Sequence, residues 1–318
     1  ITMIQATPAT YKMLLAAGWQ EPLPLKILCC GEPMSNDLAR RLIPRCGSLW
    51  NMYGPTETTI WSLTHEITSP PTGSVPIGTP VANNTVFVLD PFGRQLPVGA
   101  FGELHIGGEG VARGYHDRRE LTSERFVDRP GLGRVYATGD VVRVHPLGYV
   151  EFGGRADSQV KIRGHRIEMG EIEAVIDLHP AVSQSVVVAR GDGEQLLAAF
   201  VTAKSGEPIS STELRRHVAN ALPGAMVPSF FTVLDALPLT PNGKIDRQRL
   251  PTDLDSLVVS TAGSAEAAPT DAYELLVSDA WTRELGRTAG RDENFFDIGG
   301  HSLLAVKVFR NLADSTGL

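Results

Sequence analysis

Apolar residues recur along this chain with two different periods, and the changes of period divide it into blocks. In residues 1–156, short runs such as Leu25-Lys26-Ile27-Leu28-Cys29 and Val86-Phe87-Val88-Leu89 predict strands, and the polar-capped stretch from Ser35 through Arg45 predicts a helix. Residues 157–250 alternate between the two periods. A helix is expected over Glu168 to Leu178, strands over Ser185 to Ala189 and Leu196 to Thr202, a helix after Ser211, and a strand over Phe230 to Leu234. Such an order describes a compact α+β unit. Residues 251–270 form the expected linker, because Ser256 to Pro269 is rich in Ser, Ala, Thr and Gly and has few large apolar side chains. In residues 271–318 a helix is expected over Tyr273 to Leu285. A second starts at Ser302, where Leu303, Leu304, Val306 and Val308 fall at helical spacing. No internal repeat is present, and the fold class expected is α/β and α+β, multi-domain.

Composition narrows the function classes. The chain of 318 residues is 42% hydrophobic and 20% charged, enough for more than one core. Its formal net charge of −7 and the lack of a basic patch argue against a nucleic-acid partner. No apolar run reaches membrane-spanning length and the first residues do not read as a signal peptide, so neither membrane nor export is expected and the cytoplasm is the expected location. Cys29, Cys30 and Cys46 lack metal-site spacing and read as buried thiols.

Two clusters carry candidate chemistry. In Phe295-Phe296-Asp297-Ile298-Gly299-Gly300-His301-Ser302, two glycines lead into a serine at a helix start, where a modifying enzyme could reach the hydroxyl. Taken alone, Ser302 reads as an ordinary helix N-cap. A hydrolase elbow, Gly-x-Ser-x-Gly, is excluded because Leu304 stands two residues on. The second cluster is Asn51-Met52-Tyr53-Gly54-Pro55-Thr56-Glu57. It is followed by Gly102-Glu103-Leu104-His105-Ile106-Gly107-Gly108, Thr138-Gly139-Asp140, Gly154-Arg155-Ala156-Asp157 running to Gly164, and Pro241-Asn242-Gly243-Lys244-Ile245-Asp246. Singly, Thr-Gly-Asp reads as a surface turn and Lys244 as a solvated turn lysine. A Walker-type loop is excluded by Pro238 and Ile245.

In this order, and followed by Gly-Gly-His-Ser, the motifs resemble the adenylation and peptidyl carrier domains of nonribosomal peptide synthetases, over nearly the whole chain. The resemblance implies the end of a large adenylate-forming (ANL-type) domain in residues 1–156, a small mobile α+β lid domain in 157–250, and part of a four-helix carrier domain in 271–318. It implies ATP, Mg²⁺ and 4′-phosphopantetheine as cofactors. Its partners would be an amino-acid substrate, a phosphopantetheinyl transferase and neighbouring synthetase domains, with a condensation domain suggested by His301. Carried over by motif, Tyr53 stacks on adenine and Asn51 reads its amino edge. Asp140 accepts the ribose hydroxyls, Arg155 meets the ribose or phosphate, Thr56 contacts phosphate and Glu57 holds Mg²⁺. Lys244 bridges the α-phosphate and the substrate carboxylate, Asp157 is the hinge, Gly164 lines the pantetheine tunnel, and Ser302 carries the phosphopantetheine.

The same resemblance puts the substrate pocket at Ala6, Leu28, Cys30, Met52, Ile60 and Trp61. An uncharged lining disfavours a charged substrate side chain, whose unpaired burial is costly, so a small or apolar amino acid is expected. Cysteine or glycine is hinted at by the Ile60-Trp61 pair. These residues could otherwise be simple core. The family's phosphate loop would precede Ile1, so the chain is expected to be an internal fragment, inactive by itself. The competing expectations are a stand-alone acyl- or aryl-CoA ligase, or a catalytically inactive carrier scaffold.

Overall fold

The computed structural model describes residues 1–157, 159–162, 164–191, 195–204, 209–240, 242, 244–252, 268–286, 288–291, 293–295, 300 and 302–317. Two compact units emerge, one of Ile1–Lys12 with Trp19–Gly164 and the other of Met13–Gly18 with His165–Leu318.

In the first unit, β1 (Met3–Ala6), β2 (Lys26–Cys30) and β3 (Ser48–Tyr53) run parallel; α1 (Pro8–Ala16), whose residues from Met13 on count with the other unit, follows β1, and α2 (Asn36–Leu42) follows β2. Ser35 caps α2 by accepting the Leu38 amide at 3.2 Å. The expected helix to Arg45 stops early, because Pro44 cannot donate to the ladder and the chain tightens into a 3₁₀ turn over Ile43–Arg45. There follow β4 (Leu63–Glu66), β5 (Pro76–Pro80), β6 (Asn84–Leu89) and β7 (Gly102–Gly108), then α3 (Arg119–Arg125). Next come β8 (Phe126–Arg129), β9 (Gly133–Val144), β10 (Val150–Arg155) and β11 (Val160–Ile162). The sheet order among the described residues is β1-β2-β3-β4-β5-β10-β9-β7-β6, with β8 on β9. Its core joins Tyr53, Leu63, Ile77, Val88, Leu104, Ile106, Val142 and Val150, which brings the end of β3 against the middle of β9.

The register of β7 on β9 slips between Glu103 and His105, so that Glu103 faces Val141 while His105 faces Ala137. Thr138-Gly139-Asp140 therefore forms a β-bulge inside a long buried strand, and the surface-turn reading is corrected. Gly139 adopts φ +74°, a left-handed conformation open to glycine at little cost. Its amide donates to Glu103 Oε1 at 2.9 Å, and the Thr138 hydroxyl donates to the Leu104 carbonyl at 2.8 Å.

The second unit contains β12 (His165–Ile167), α4 (Met169–Asp177), β13 (Val182–Arg190), β14 (Leu196–Ala203), α5 (Ser211–Ala221) and β15 (Phe230–Leu234). Strand β14 pairs antiparallel with β13 and parallel with β15. Val186, Val188, Phe200 and Phe230 centre the core beneath it. Helix α6 (Ala272–Leu285) is capped by Asp271, which accepts the Tyr273 and Glu274 amides, and it ends at Gly286. Helix α7 (Ser302–Thr316) joins α6 through the Asn311 amide, which donates to Glu284 Oε1 at 2.9 Å. No helix among the described residues is long and apolar enough to cross a membrane.

Candidate functional site

Strand β3 delivers Tyr53 beneath the β9 bulge, where its hydroxyl donates to Asp140 Oδ2. The other oxygen of Asp140 accepts Arg155 Nη1 at 2.6 Å, and only 3% of Asp140 is exposed. Arg155 also forks onto Asp157, with Nε and Nη2 at 2.6 and 2.7 Å from its two oxygens. Burial pushes the Tyr53 phenol well above its ordinary range, and the neighbouring Asp140 carboxylate adds to this, so the group is a donor. Partial burial tends to raise Asp157, but the Arg155 hydrogen bonds and charge outweigh it and hold the carboxyl below its usual value. The Lys161 ammonium lies 5.4 Å from the centre of the Tyr53 ring. Four of the expected site residues (Tyr53, Asp140, Arg155, Asp157) thus share one hydrogen-bonded chain.

Past Tyr53 the backbone turns through a 3₁₀ helix, Thr56–Thr58, which buries Glu57 and leaves Thr56 exposed. Glu57 Oε1 accepts hydroxyl hydrogens from Tyr115 at 2.6 Å and Tyr136 at 2.9 Å. Thr59 and Ile60 follow at φ 62° and 68°, a costly conformation for two β-branched residues; strain of this kind concentrates at functional sites. It throws Ile60 outward, 64% exposed, and leaves Trp61 half-buried. Asn51 is buried, and its amide nitrogen donates to the Pro76 carbonyl at 2.7 Å, which braces β3.

Cross-strand register sorts the expected pocket residues. Leu28 pairs with Trp50 and Cys30 with Met52, while Gln5 pairs with Leu28. Because strand side chains alternate, Gln5, Leu28, Cys30 and Met52 share a face, and Ala6, paired with Cys29, belongs to the other. The Gln5 amide confirms the shared face by lying 2.9 Å from Cys30 Sγ. Ala6, expected with the other pocket residues, thus sits on the opposite face of the sheet, and Gln5 is the β1 residue that shares theirs, an alternation that strand periodicity could have signalled. Of the cysteines, Cys29 is buried and Cys30 and Cys46 are half-buried.

In the second unit, Lys244 sits exposed on a tight turn closed by the Leu239–Ile245 bridge. Its carbonyl accepts the Thr240 amide at 2.7 Å, and its own amide donates to Thr240 Oγ1 at 3.2 Å. Gly164, at the end of the first unit, donates its amide to Glu32 Oε1 at 2.6 Å. At the carrier end, the Gly300 amide donates to the Phe295 carbonyl at 2.8 Å, and a Cβ on Gly300 would come within 2.3 Å of that oxygen. Phe295 is in turn held edge-on by Trp281. Ser302 opens α7 next to this turn. The expected exposure of its hydroxyl, like His301 and Phe296 to Gly299, lies outside the described residues.

Comparison with known proteins matches this layout segment by segment. The family profile "AMP-binding enzyme" matches residues 1–116, "AMP-binding enzyme C-terminal domain" matches 171–244, and "Phosphopantetheine attachment site" matches 276–318. The chain is 43% identical over 324 aligned residues to a linear gramicidin synthase polypeptide of Brevibacillus parabrevis, covering 99% of the chain and 6% of that protein. It is also 43% identical to a dimodular nonribosomal peptide synthase of Bacillus subtilis (strain 168), covering all of the chain and 13% of that protein. This chain belongs to the nonribosomal peptide synthetase family. It therefore spans only a small part of the length of these synthetases. Among solved structures, holo-PA1221, a synthetase with adenylation and carrier domains bound to a vinylsulfonamide inhibitor, superposes with TM-score 0.77 at 30% identity, over 99% of this chain and 53% of that one. The o-succinylbenzoate CoA synthetase of Bacillus subtilis, at TM-score 0.68 and 25% identity, covers 79% of this chain and 51% of its own.

Proposed function

We propose that this chain serves a synthetase module that activates an amino acid as its adenylate with ATP and then transfers it to a phosphopantetheine thiol on Ser302. In the first step a carboxylate oxygen attacks the α-phosphorus and pyrophosphate leaves. In the second the thiol sulfur attacks the activated carbonyl and AMP leaves. Both steps bring anions together, so the site must neutralise charge and hold the reactants in line. The observation that carries this reading is the joined Tyr53–Asp140–Arg155–Asp157 chain and the buried Glu57, in one polypeptide with a phosphopantetheine-attachment region. A CoA ligase would use a similar nucleotide site but has no need of that last region.

In this reading Asp140 accepts the ribose hydroxyls on the lone pairs that Tyr53 and Arg155 leave, Tyr53 stacks on the base, Asn51 reads the amino edge of the base through its amide oxygen, and Arg155 meets the ribose or phosphate. Thr56, exposed beside Glu57, contacts phosphate. Magnesium fits as a partner that arrives on the triphosphate: Glu57 presents hard carboxylate oxygen, and no cluster of three potential ligands exists among the described residues. When bound, such an ion neutralises phosphate charge, and Glu57 would hold it. Leu28, Cys30, Met52, Ile60 and Trp61 line an uncharged substrate pocket, and the shared strand face favours Gln5 over Ala6 as their neighbour on β1. Residues 157–250 act as a mobile domain turning about Asp157, with Gly164 along the pantetheine path. The cell interior, which supplies ATP, is the setting.

Lys244, exposed on its turn, bridges the α-phosphate and the substrate carboxylate. One such contact at ~4 Å in an effective dielectric of about 20 contributes roughly 4 kcal/mol before desolvation is subtracted. Amino-acid-dependent pyrophosphate exchange by the full-length synthetase containing this sequence tests the assignment. Lys244→Ala should lower exchange by about a hundredfold or more, since each 1.36 kcal/mol is a factor of ten. Exchange at the parental rate would remove Lys244 from the reaction.

A further inference from the structure

The segment Val111-Ala112-Arg113-Gly114-Tyr115 has no role in the reading above, yet it is tied tightly to the turn that carries Glu57. The Ala112 amide donates to the Glu57 carbonyl at 2.8 Å, and the Thr59 hydroxyl donates to the Gly110 carbonyl at 2.8 Å. Arg134 clamps the same segment from β9, donating to the Ala112 and Arg113 carbonyls at 2.6 and 2.8 Å. The Tyr115 amide donates to Thr122 Oγ1 at 3.0 Å, and its ring packs edge-on against Phe126 at 5.3 Å. Backbone and ring are both fixed, so the hydroxyl of Tyr115 is aimed.

It is aimed at Glu57 Oε1, 2.6 Å away, beside the Tyr136 hydroxyl at 2.9 Å, with the two phenol oxygens 3.4 Å apart. Burial and the Glu57 hydrogen bond both raise the Tyr115 phenol, which keeps it a donor. Two donors on one oxygen define the plane of a carboxylate that would otherwise rotate about its last bond. We infer that Tyr115 is a positioning residue for Glu57: with Tyr136 it sets the orientation in which this carboxylate meets the metal carried by the nucleotide. The inference rests on the proposed metal role of Glu57. Partners that orient a metal ligand typically change metal affinity or activity by about 10- to 100-fold when lost.

The test uses the full-length synthetase and Tyr115→Phe, which removes the hydroxyl and keeps the ring. The Mg²⁺ concentration giving half-maximal pyrophosphate exchange should rise by about 10- to 100-fold, with KM for the amino acid unchanged and most of kcat recovered at high Mg²⁺. Binding of Mn²⁺ with ATP, followed by electron paramagnetic resonance, should weaken in parallel. Loss of exchange by the same factor at every Mg²⁺ concentration, or no change at all, overturns the inference. Glu57→Gln, run alongside, separates the two failures. If it shifts the metal requirement and Tyr115→Phe does not, only the positioning role falls. If neither shifts it, the metal role of Glu57 falls as well.

Discussion

Replacing Asp140 by Asn keeps the shape of the β9 bulge and removes one charge from the centre of the proposed nucleotide site. Asp140 is 3% exposed and accepts from both Tyr53 and Arg155, so neither hydrogen bond can be exchanged for water in the folded protein. Breaking one partner of a buried ion pair ordinarily costs about 3–5 kcal/mol. Here the Arg155 fork onto Asp157 still compensates the cation, and the remaining loss is near that of one charge-assisted hydrogen bond, about 1.5–3 kcal/mol. Asp157 has a side chain 33% exposed, so Asp157→Asn should cost less, because solvent screens that pair. Urea unfolding of the two variants, followed by tryptophan fluorescence, measures both numbers. ATP affinity, measured by calorimetry, should fall about tenfold or more for Asp140→Asn, since on the proposed binding mode an amide nitrogen replaces one of two ribose acceptors. An Asp140→Asn variant as stable as the parent within about 0.5 kcal/mol, or Asp157→Asn costing more than Asp140→Asn, would refute the reasoning.

Two further outcomes follow from the same geometry. Asp157→Pro fixes φ at the proposed hinge and removes the carboxylate that holds the Arg155 fork, so thioester formation and adenylation should slow by different factors; equal loss in the two half-reactions, measured by single-turnover kinetics, would count against a swivelling domain. His105 is 2% exposed, its Nε2 has no hydrogen-bond partner among the described residues, and burial lowers its pKa below the ordinary value despite the opposing Glu103 charge. The unfolded chain then binds the proton first, so this contribution to stability is intact above about pH 6.5 and is lost as pH falls through the folded-state value. The urea midpoint should drop on acidification, and His105→Leu should flatten the dependence; an unchanged slope in that variant would assign the effect elsewhere.

Elements whose period is strong were legible residue by residue: Phe230 to Leu234 is a strand over those same residues, and the helices near Tyr273 and Glu168 agree to within a position or two. Where one residue overrides the period, the pattern misleads. Pro44 shortens the helix after Ser35, and the two extra residues of the β9 bulge hide a buried carboxylate inside what reads as a turn. Motif flanks alone also do not say that Gln5, and not Ala6, shares a face with Leu28, because adjacent strand positions face opposite sides. The tyrosines on Glu57 lie 58 and 79 residues away from it, and no local pattern in a single sequence carries a contact of that range.

The central claim is that one polypeptide activates an amino acid and receives it on Ser302. Intact-mass analysis of the full-length synthetase after incubation with a phosphopantetheinyl transferase, coenzyme A, ATP, Mg²⁺ and a mixture of amino acids tests it most directly. The account predicts phosphopantetheine plus one aminoacyl group on the peptide containing Ser302, phosphopantetheine alone in Lys244→Ala, and neither in Ser302→Ala. Aminoacyl loading that survives Lys244→Ala, or phosphopantetheine that still appears on that peptide in Ser302→Ala, would contradict it.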